Sequence, residues 1–140
     1  MAKGIYDTNE GEIGVPISKR GDTVLHIAAA AEHYGFVKEL VQKMKPEDLT
    51  QLNKVGYTAL FFAAASGRVD VAEEMMKDNK AIAMSRDQNK RLPIDLAASL
   101  GHKDMVVYLY EQTKFFLDDE DCNELLVELI QNDLYGKYCF

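Results

Sequence analysis

Three histidines, two cysteines and one acidic run are the residues of this chain whose types could do chemistry. His26 could serve as a base or a metal ligand. The sequence places no nucleophile or carboxylate partner for it, and a lone imidazole meets none of the geometric requirements of an active site. His33 and His102 are too widely separated along the chain to suggest a shared metal. Cys122 and Cys139 form no Cys-x-x-Cys pair, so a zinc site has no spacing behind it, and both read as reduced thiols in an intracellular compartment. Asp118-Asp119-Glu120-Asp121 could attract calcium but lacks the Asp-x-Asp-x-Asp-Gly order and the distal glutamate of a calcium loop. Its simpler reading is a solvated helix start, where the helix dipole favours negative charge. Phosphate-binding glycine loops and a Gly-x-Ser-x-Gly elbow are absent from the sequence. The expectation is no metal, no cofactor and no enzyme.

A repeat organises the elements around these residues. Thr23-Val24-Leu25-His26-Ile27-Ala28-Ala29, Thr58-Ala59-Leu60-Phe61-Phe62-Ala63-Ala64 and Leu92-Pro93-Ile94-Asp95-Leu96-Ala97-Ala98 begin 35 and 34 residues apart. In the first two copies a turn glycine (Gly21, Gly56) precedes a threonine whose hydroxyl can cap the helix that follows. The alanine pairs recur at matching positions and would let neighbouring units approach closely. Gly67 and Gly101 stand where the chain must reverse. A second helix follows in each copy, with its apolar pairs one turn apart: Phe36-Val37 with Leu40-Val41, Val71-Ala72 with Met75-Met76, Met105-Val106 with Leu109-Tyr110. That spacing makes one buried stripe per helix, and it places the sulfur-rich Met75-Met76 in the core rather than in a recognition groove. Pro46, among Lys45, Glu47 and Asp48, reads as a helix stop and a surface connection.

Composition narrows the class. The chain is 47% hydrophobic and 28% charged, which is globular rather than disordered. Its net charge of −7 argues against a nucleic-acid partner, although Lys19-Arg20 and Lys90-Arg91 are local basic pairs. No apolar run approaches the ~20 residues of a membrane helix. No signal peptide or lipidation signal is evident at either end. The chain is expected to be soluble and cytoplasmic.

The three copies together resemble ankyrin repeats, whose unit is about 33 residues long. The resemblance runs from about Gly21 to Tyr110. It implies an all-α ankyrin-repeat solenoid of stacked helix-turn-helix units. The segments expected are a polar lead-in over 1–20, repeats over about 21–55, 56–89 and 90–114, and a divergent helical cap over 115–140. A narrower likeness is to plant ankyrin-repeat proteins whose longer members carry a C-terminal membrane-spanning module. It rests on Asn53-Lys54-Val55-Gly56-Tyr57-Thr58-Ala59-Leu60, Ala63-Ala64-Ala65-Ser66-Gly67, Val106-Val107-Tyr108-Leu109-Tyr110 and Asp133-Leu134-Tyr135. It implies a shortened relative acting in defence or stress signalling. The motif also implies that His26 hydrogen-bonds within its own repeat; His33 and His102, at the same repeat position after the inter-helix turn, read as turn-stabilising. Several residues depart from the pattern: Phe61 and Asp95 replace histidine, Glu32 and Lys90 replace glycine, and Leu92 replaces threonine. Each departure removes a cap or an easy turn, and a lost cap costs about 1 kcal/mol.

The resemblance further implies a non-catalytic protein-protein interaction module, binding on the concave face and turn tips. Mapped through the register, the binding positions are Lys54, Val55, Tyr57, Ser66, Gln88, Asn89, Arg91, Ser99 and Leu100. Lys19, Arg20 and Asp22 lie on the first tip, and Ala30, Ala31 and Ala65 form a shallow floor. Tyr57 and Arg91 are of types enriched among residues that dominate binding energy. The partner is a protein of unknown identity, and self-association through the terminal repeats is a second possibility.

Overall fold

The computed structural model describes residues 14–77 and 79–132. The first part of the lead-in, Asp133-Leu134-Tyr135, Cys139 and the chain end lie outside the described residues. Seven α-helices and no strand occur among the described residues. They are α1 (Val24–Ala30), α2 (Tyr34–Lys43), α3 (Ala59–Ser66), α4 (Val69–Met76), α5 (Pro93–Ser99), α6 (Lys103–Thr113) and α7 (Asp119–Gln131). The architecture is an all-α solenoid. The helices α1, α3, α5 and α7 pack in that order as one row, and α2, α4 and α6 pack as a second row behind them.

The two rows meet along the stripes expected from the sequence. The alanine pairs Ala28-Ala29, Ala63-Ala64 and Ala97-Ala98 are buried between successive helices of the first row, with Leu25, Leu60 and Ile94 beside them. Val37, Leu40, Val71, Ala72, Met75, Met76, Met105, Val106 and Leu109 fill the second row. Each large side chain so buried contributes roughly 1.5–3 kcal/mol, so the apolar pattern outweighs any single cap. The connection after α2 is less open than expected, since Pro46–Thr50 forms a 3-10 turn that tucks Leu49 into the core, and Lys80–Met84 after α4 does the same with Ile82 and Ala83.

Two backbone positions per repeat are left-handed. At the turn tips these are Gly21, Gly56 and Lys90, and between the helices they are Glu32, Gly67 and Gly101. Glu32 and Lys90 adopt φ of 61° and 63° despite their side chains. The stacking therefore imposes the glycine conformation where the sequence does not supply glycine, at a strain of about 1 kcal/mol per site. At Gly67 a side chain is excluded twice over, because a Cβ there would also stand 2.6 Å from the ring of His102.

Candidate functional site

Each tip is a turn closed by its own first residue. Ser18 Oγ accepts from Asp22 N at 3.1 Å. Asn53 Oδ1 accepts from Val55 N and Tyr57 N at 3.0 Å each, and Asp87 Oδ1 from Asn89 N and Arg91 N at 2.8 and 2.9 Å. Neighbouring tips are then bonded to one another. Lys54 N donates to the Arg20 carbonyl at 2.7 Å, Asn53 Nδ2 to Asp22 Oδ1 at 2.9 Å, and Gln88 Nε2 to the Lys54 carbonyl at 2.8 Å. Burial alone would raise Asp22, but its bond from Asn53 and the nearby Arg20 hold its carboxyl below the usual value.

The residues three positions into the first-row helices tie these tips to the rows. His26 Nδ1 accepts from Thr23 N at 3.0 Å, and its Nε2 donates to the Tyr57 carbonyl at 2.8 Å. The carbonyl can only accept, so His26 is the Nε2–H tautomer. Burial lowers its pKa, consistent with a neutral ring. The expectation of a bond within its own repeat is thus half the arrangement, since His26 also fastens the second tip. In the third repeat, Asp95 replaces that acceptor rather than removing it: its Oδ2 accepts from Leu92 N at 3.1 Å. Burial pushes the Asp95 carboxyl up to about 6. Ahead of α7 the same device recurs, with Asp118 N donating to Asp121 Oδ2 at 3.2 Å.

The second repeat alone lacks it. Phe61 cannot accept, Thr58 makes no side-chain cap, and Thr58 Oγ1 is the buried side-chain atom without a partner among the described residues. The capping role expected of Thr58 is therefore not realised, because the Phe61 amide bonds the Thr58 carbonyl at 3.1 Å and Phe61 has no polar side-chain atom to do for the hydroxyl what His26 does for Thr23. His102 Nε2 bonds the Ala65 carbonyl of the preceding repeat at 2.8 Å, while Arg68 reaches the Glu32 carbonyl at 3.2 Å from the corresponding position.

The proposed contact residues divide into committed and uncommitted groups. Lys54 and Val55 are exposed on the second tip and Leu100 on the first row, where it is 52% exposed. Tyr57 is half-buried, its ring stacked on Phe61 at 4.8 Å and edge-on to Phe62 at 6.0 Å. Ser66 and Ser99 turn their hydroxyls back to the carbonyls of Ala63 and Leu96. Gln88 spends its amide on Lys54, and Asn89 remains exposed at the tip. Arg91 is bonded to Glu128 of α7 at 2.8 Å and to the Asp95 carbonyl at 3.3 Å.

The sequence reading missed the role of α7 in engaging the third tip. Arg86 grips Asp121 through two bonds of 2.8 and 3.0 Å, and this pairing lowers the Asp121 pKa. Asp121 is buried, so the acidic run is not wholly solvated as expected. Arg91, Asp95, Glu124, Val127 and Glu128 line a cleft of about 390 Å³ between that tip and α7. An arginine at the third tip followed by a helix with glutamate on its face was the available signal. The Cys122 thiol is pushed up by burial and by Asp119 beside it. Among the described residues no group of three or more His, Cys, Asp or Glu could hold a metal ion, and no helix is long and apolar enough to cross a membrane.

Comparison with known proteins places these features in a family. The family model described as Ankyrin repeats (3 copies) matches residues 5–83 and 25–124. The chain is 30% identical over 115 residues to the ankyrin repeat and KH domain-containing protein mask-1 of Caenorhabditis elegans. It is 31% identical over 122 residues to the ankyrin repeat and KH domain-containing protein CBG24701 of Caenorhabditis briggsae. These matches cover 82% and 87% of this chain but only 4% of either relative's length. A chain from the crystal structure of the yeast ribosomal protein Rps3 in complex with its chaperone Yar1 aligns with a TM-score of 0.74. The alignment covers 84% of this chain and 85% of that one at 24% identity, which shows a shared fold alone. The narrower likeness to plant membrane ankyrin proteins draws no support from these relatives.

Proposed function

The chain belongs to the ankyrin-repeat family, and from that premise we propose that it is a non-catalytic module that binds a protein partner across its turn tips and the exposed side of its first helix row. The observation that carries this reading is the bonding of tip to tip. Lys54 to Arg20, Gln88 to Lys54 and His26 to Tyr57 hold three turns in fixed relation. A surface ordered before binding loses less side-chain and loop entropy when a partner arrives. The side chains left uncommitted by these bonds, Val55, Tyr57, Asn89 and Leu100, are the contacts of this reading. Arg91 contributes by holding α7 through Glu128 rather than by meeting the partner. That a chain of the same fold comes from a complex of one protein with its chaperone supports the reading.

Affinity capture from an extract of the source organism tests it, comparing the intact protein with a Tyr57→Ala, Leu100→Asp variant of unchanged circular dichroism. A protein held by the intact chain and lost by the variant is the expected result. Retention of the same protein by both would move binding away from this face.

A further inference from the structure

Charge is unevenly distributed along the stack. Lys19 and Lys54 sit at the same position of the first two turns, both are exposed, and neither is ion-paired with a carboxylate among the described residues. The bond from Lys54 N to the Arg20 carbonyl keeps the two turns side by side. Arg20 adds a third cation there; it is paired with Asp22 at 3.1 Å, but its own side chain is 71% exposed. The third turn differs, because Lys90 shares a cleft of about 330 Å³ with Asp118, Glu120, Asp121 and Glu124. In a chain of net charge −7, the first two turns thus form a cationic edge and α7 an anionic end.

An apolar shelf adjoins the cationic edge. Ile27 and Phe62 occupy the same register position on the packed helices α1 and α3. Ile27 is 44% exposed and Phe62 half-buried. Phe62 meets His26 edge-on at 5.7 Å and Tyr57 edge-on at 6.0 Å, so the rings are fixed in place. Val55 is exposed on the second tip, two residues before Tyr57.

We infer that the first two repeats bind an acidic polypeptide segment, its carboxylates facing Lys19 and Lys54 and its aromatic or aliphatic side chains lying on Ile27, Tyr57 and Phe62. The inference rests on the protein-binding reading above and names its partner's chemistry. Complementary charge steers the encounter and fixes register. Repulsion from Asp119, Glu120 and Glu124 on α7 directs the most acidic part of the segment toward the first turn. A nucleic acid would also meet the lysines, but it brings no aliphatic side chains to the exposed Ile27 and Val55.

Fluorescence anisotropy of the full chain tests the assignment with labelled glutamate–tyrosine copolymer, polyglutamate, lysine–tyrosine copolymer and single-stranded oligothymidylate. The glutamate–tyrosine copolymer is expected to bind tightest, with affinity falling as salt rises. Lys19→Glu with Lys54→Glu should weaken it about tenfold or more. Ile27→Ser with Val55→Ser should weaken it while leaving the weaker polyglutamate binding unchanged. These four side chains are exposed, so circular dichroism should be unaltered. Absent binding of the glutamate–tyrosine copolymer, equal binding by the lysine variant, or preference for oligothymidylate or the lysine–tyrosine copolymer each overturns the inference. A cellular partner lost in Tyr57→Ala, Leu100→Asp while the copolymer fails to bind would sink the acidic-segment assignment alone.

Discussion

The first and second repeats begin their first helices with the same threonine and differ three residues later. In the first, His26 accepts the amide of Thr23, contacts its hydroxyl at 2.9 Å and donates to the Tyr57 carbonyl of the next tip. In the second, Phe61 fills the corresponding space with a fully buried ring, and Thr58 Oγ1 has no partner. One side chain therefore supplies three polar contacts or none. The second repeat offsets its loss by packing, since Phe61 stacks beneath Tyr57 at 4.8 Å. The middle repeat has neighbours on both sides and can rely on burial, whereas the first has a stacked neighbour only on its inner side among the described residues. The lesson is that the repeat motif is a set of interchangeable solutions to one accounting problem: where the first amides of a buried helix find acceptors.

Making the first repeat like the second should have the largest effect. His26→Phe leaves the Thr23 amide unpaired and takes one of two donors from the Tyr57 carbonyl, which keeps Asn53 N at 2.9 Å, and should lower unfolding free energy by about 1–3 kcal/mol, measured by urea titration. The contribution of His26 also depends on pH. Its folded pKa is lowered, so its stabilisation is present above the unfolded value near 6.5 and is lost as pH falls through the folded value. A variant as stable as the parent would mean the imidazole bonds add nothing beyond packing.

The third repeat solves the same problem with a carboxylate, and its pH response runs the other way. Asp95 is 3% exposed and its pKa rises from 3.8 to about 6. The folded chain then holds the proton more tightly than the unfolded chain. Stability from this group is full below about 4, falls as pH rises to about 6 and stays low above it. Asp95→Asn keeps an acceptor for Leu92 N without a charge. It should stabilise the protein by about 2 kcal/mol at pH 7 and leave it unchanged at pH 3. Thermal melts across that range would expose an equal effect at both values, which would mean the burial penalty is not the cause.

Removing the two threonine hydroxyls separates the repeats more finely. Thr23→Val should cost about 1 kcal/mol, because His26 loses the hydroxyl. Thr58→Val should be neutral or stabilising by up to about 1 kcal/mol, because no hydrogen bond is lost. Equal losses in chemical denaturation would mean Thr58 has a partner in solution. The smallest effects belong to the left-handed positions. Glu32→Gly and Lys90→Gly should each change stability by less than about 1 kcal/mol, with strain relief opposed by the greater freedom of the unfolded glycine chain. Glu32→Gly also loses the 3.7 Å contact with Arg68, and Lys90→Gly a cation beside Asp118, Glu120, Asp121 and Glu124, so neither gains the full relief of strain. A loss above about 2 kcal/mol at Lys90 would contradict that account.

Much of the fold is legible in the residues themselves. The alanine pairs, the second-helix stripes and the reversal at Gly67 follow from helical spacing and backbone sterics, and each falls where the sequence puts it. The helix start at Asp118 was legible from its acidic run, but its kinship with the earlier helix starts was not, because Asp118 follows Leu92 by only 26 residues, short of the period. Asp121 nonetheless takes the acceptor role of His26 and Asp95. The 3-10 turns went unread although Leu49 and Ile82 stand 33 residues apart, one repeat length, because a five-residue turn is too short to show a helical stripe. Among the proposed contacts, Val55, Tyr57 and Leu100 could be placed by register. The commitments of Gln88 and Arg91 could not.

The sequence by itself determined the class of the protein: a periodic helical stack, with alanine where helices touch and a turn at each tip. Those features are local or strictly repeating, so their physics is contained in a window of one repeat. Only the tertiary structure decided which polar groups remain for a partner. His26 and Tyr57, Gln88 and Lys54, Arg86 and Asp121, and Arg91 and Glu128 are pairs 31 to 37 residues apart. A hydrogen bond is made or lost over a few tenths of an ångström. Such precision across repeats is set by how neighbouring helices stack, and no periodicity of residue types encodes it.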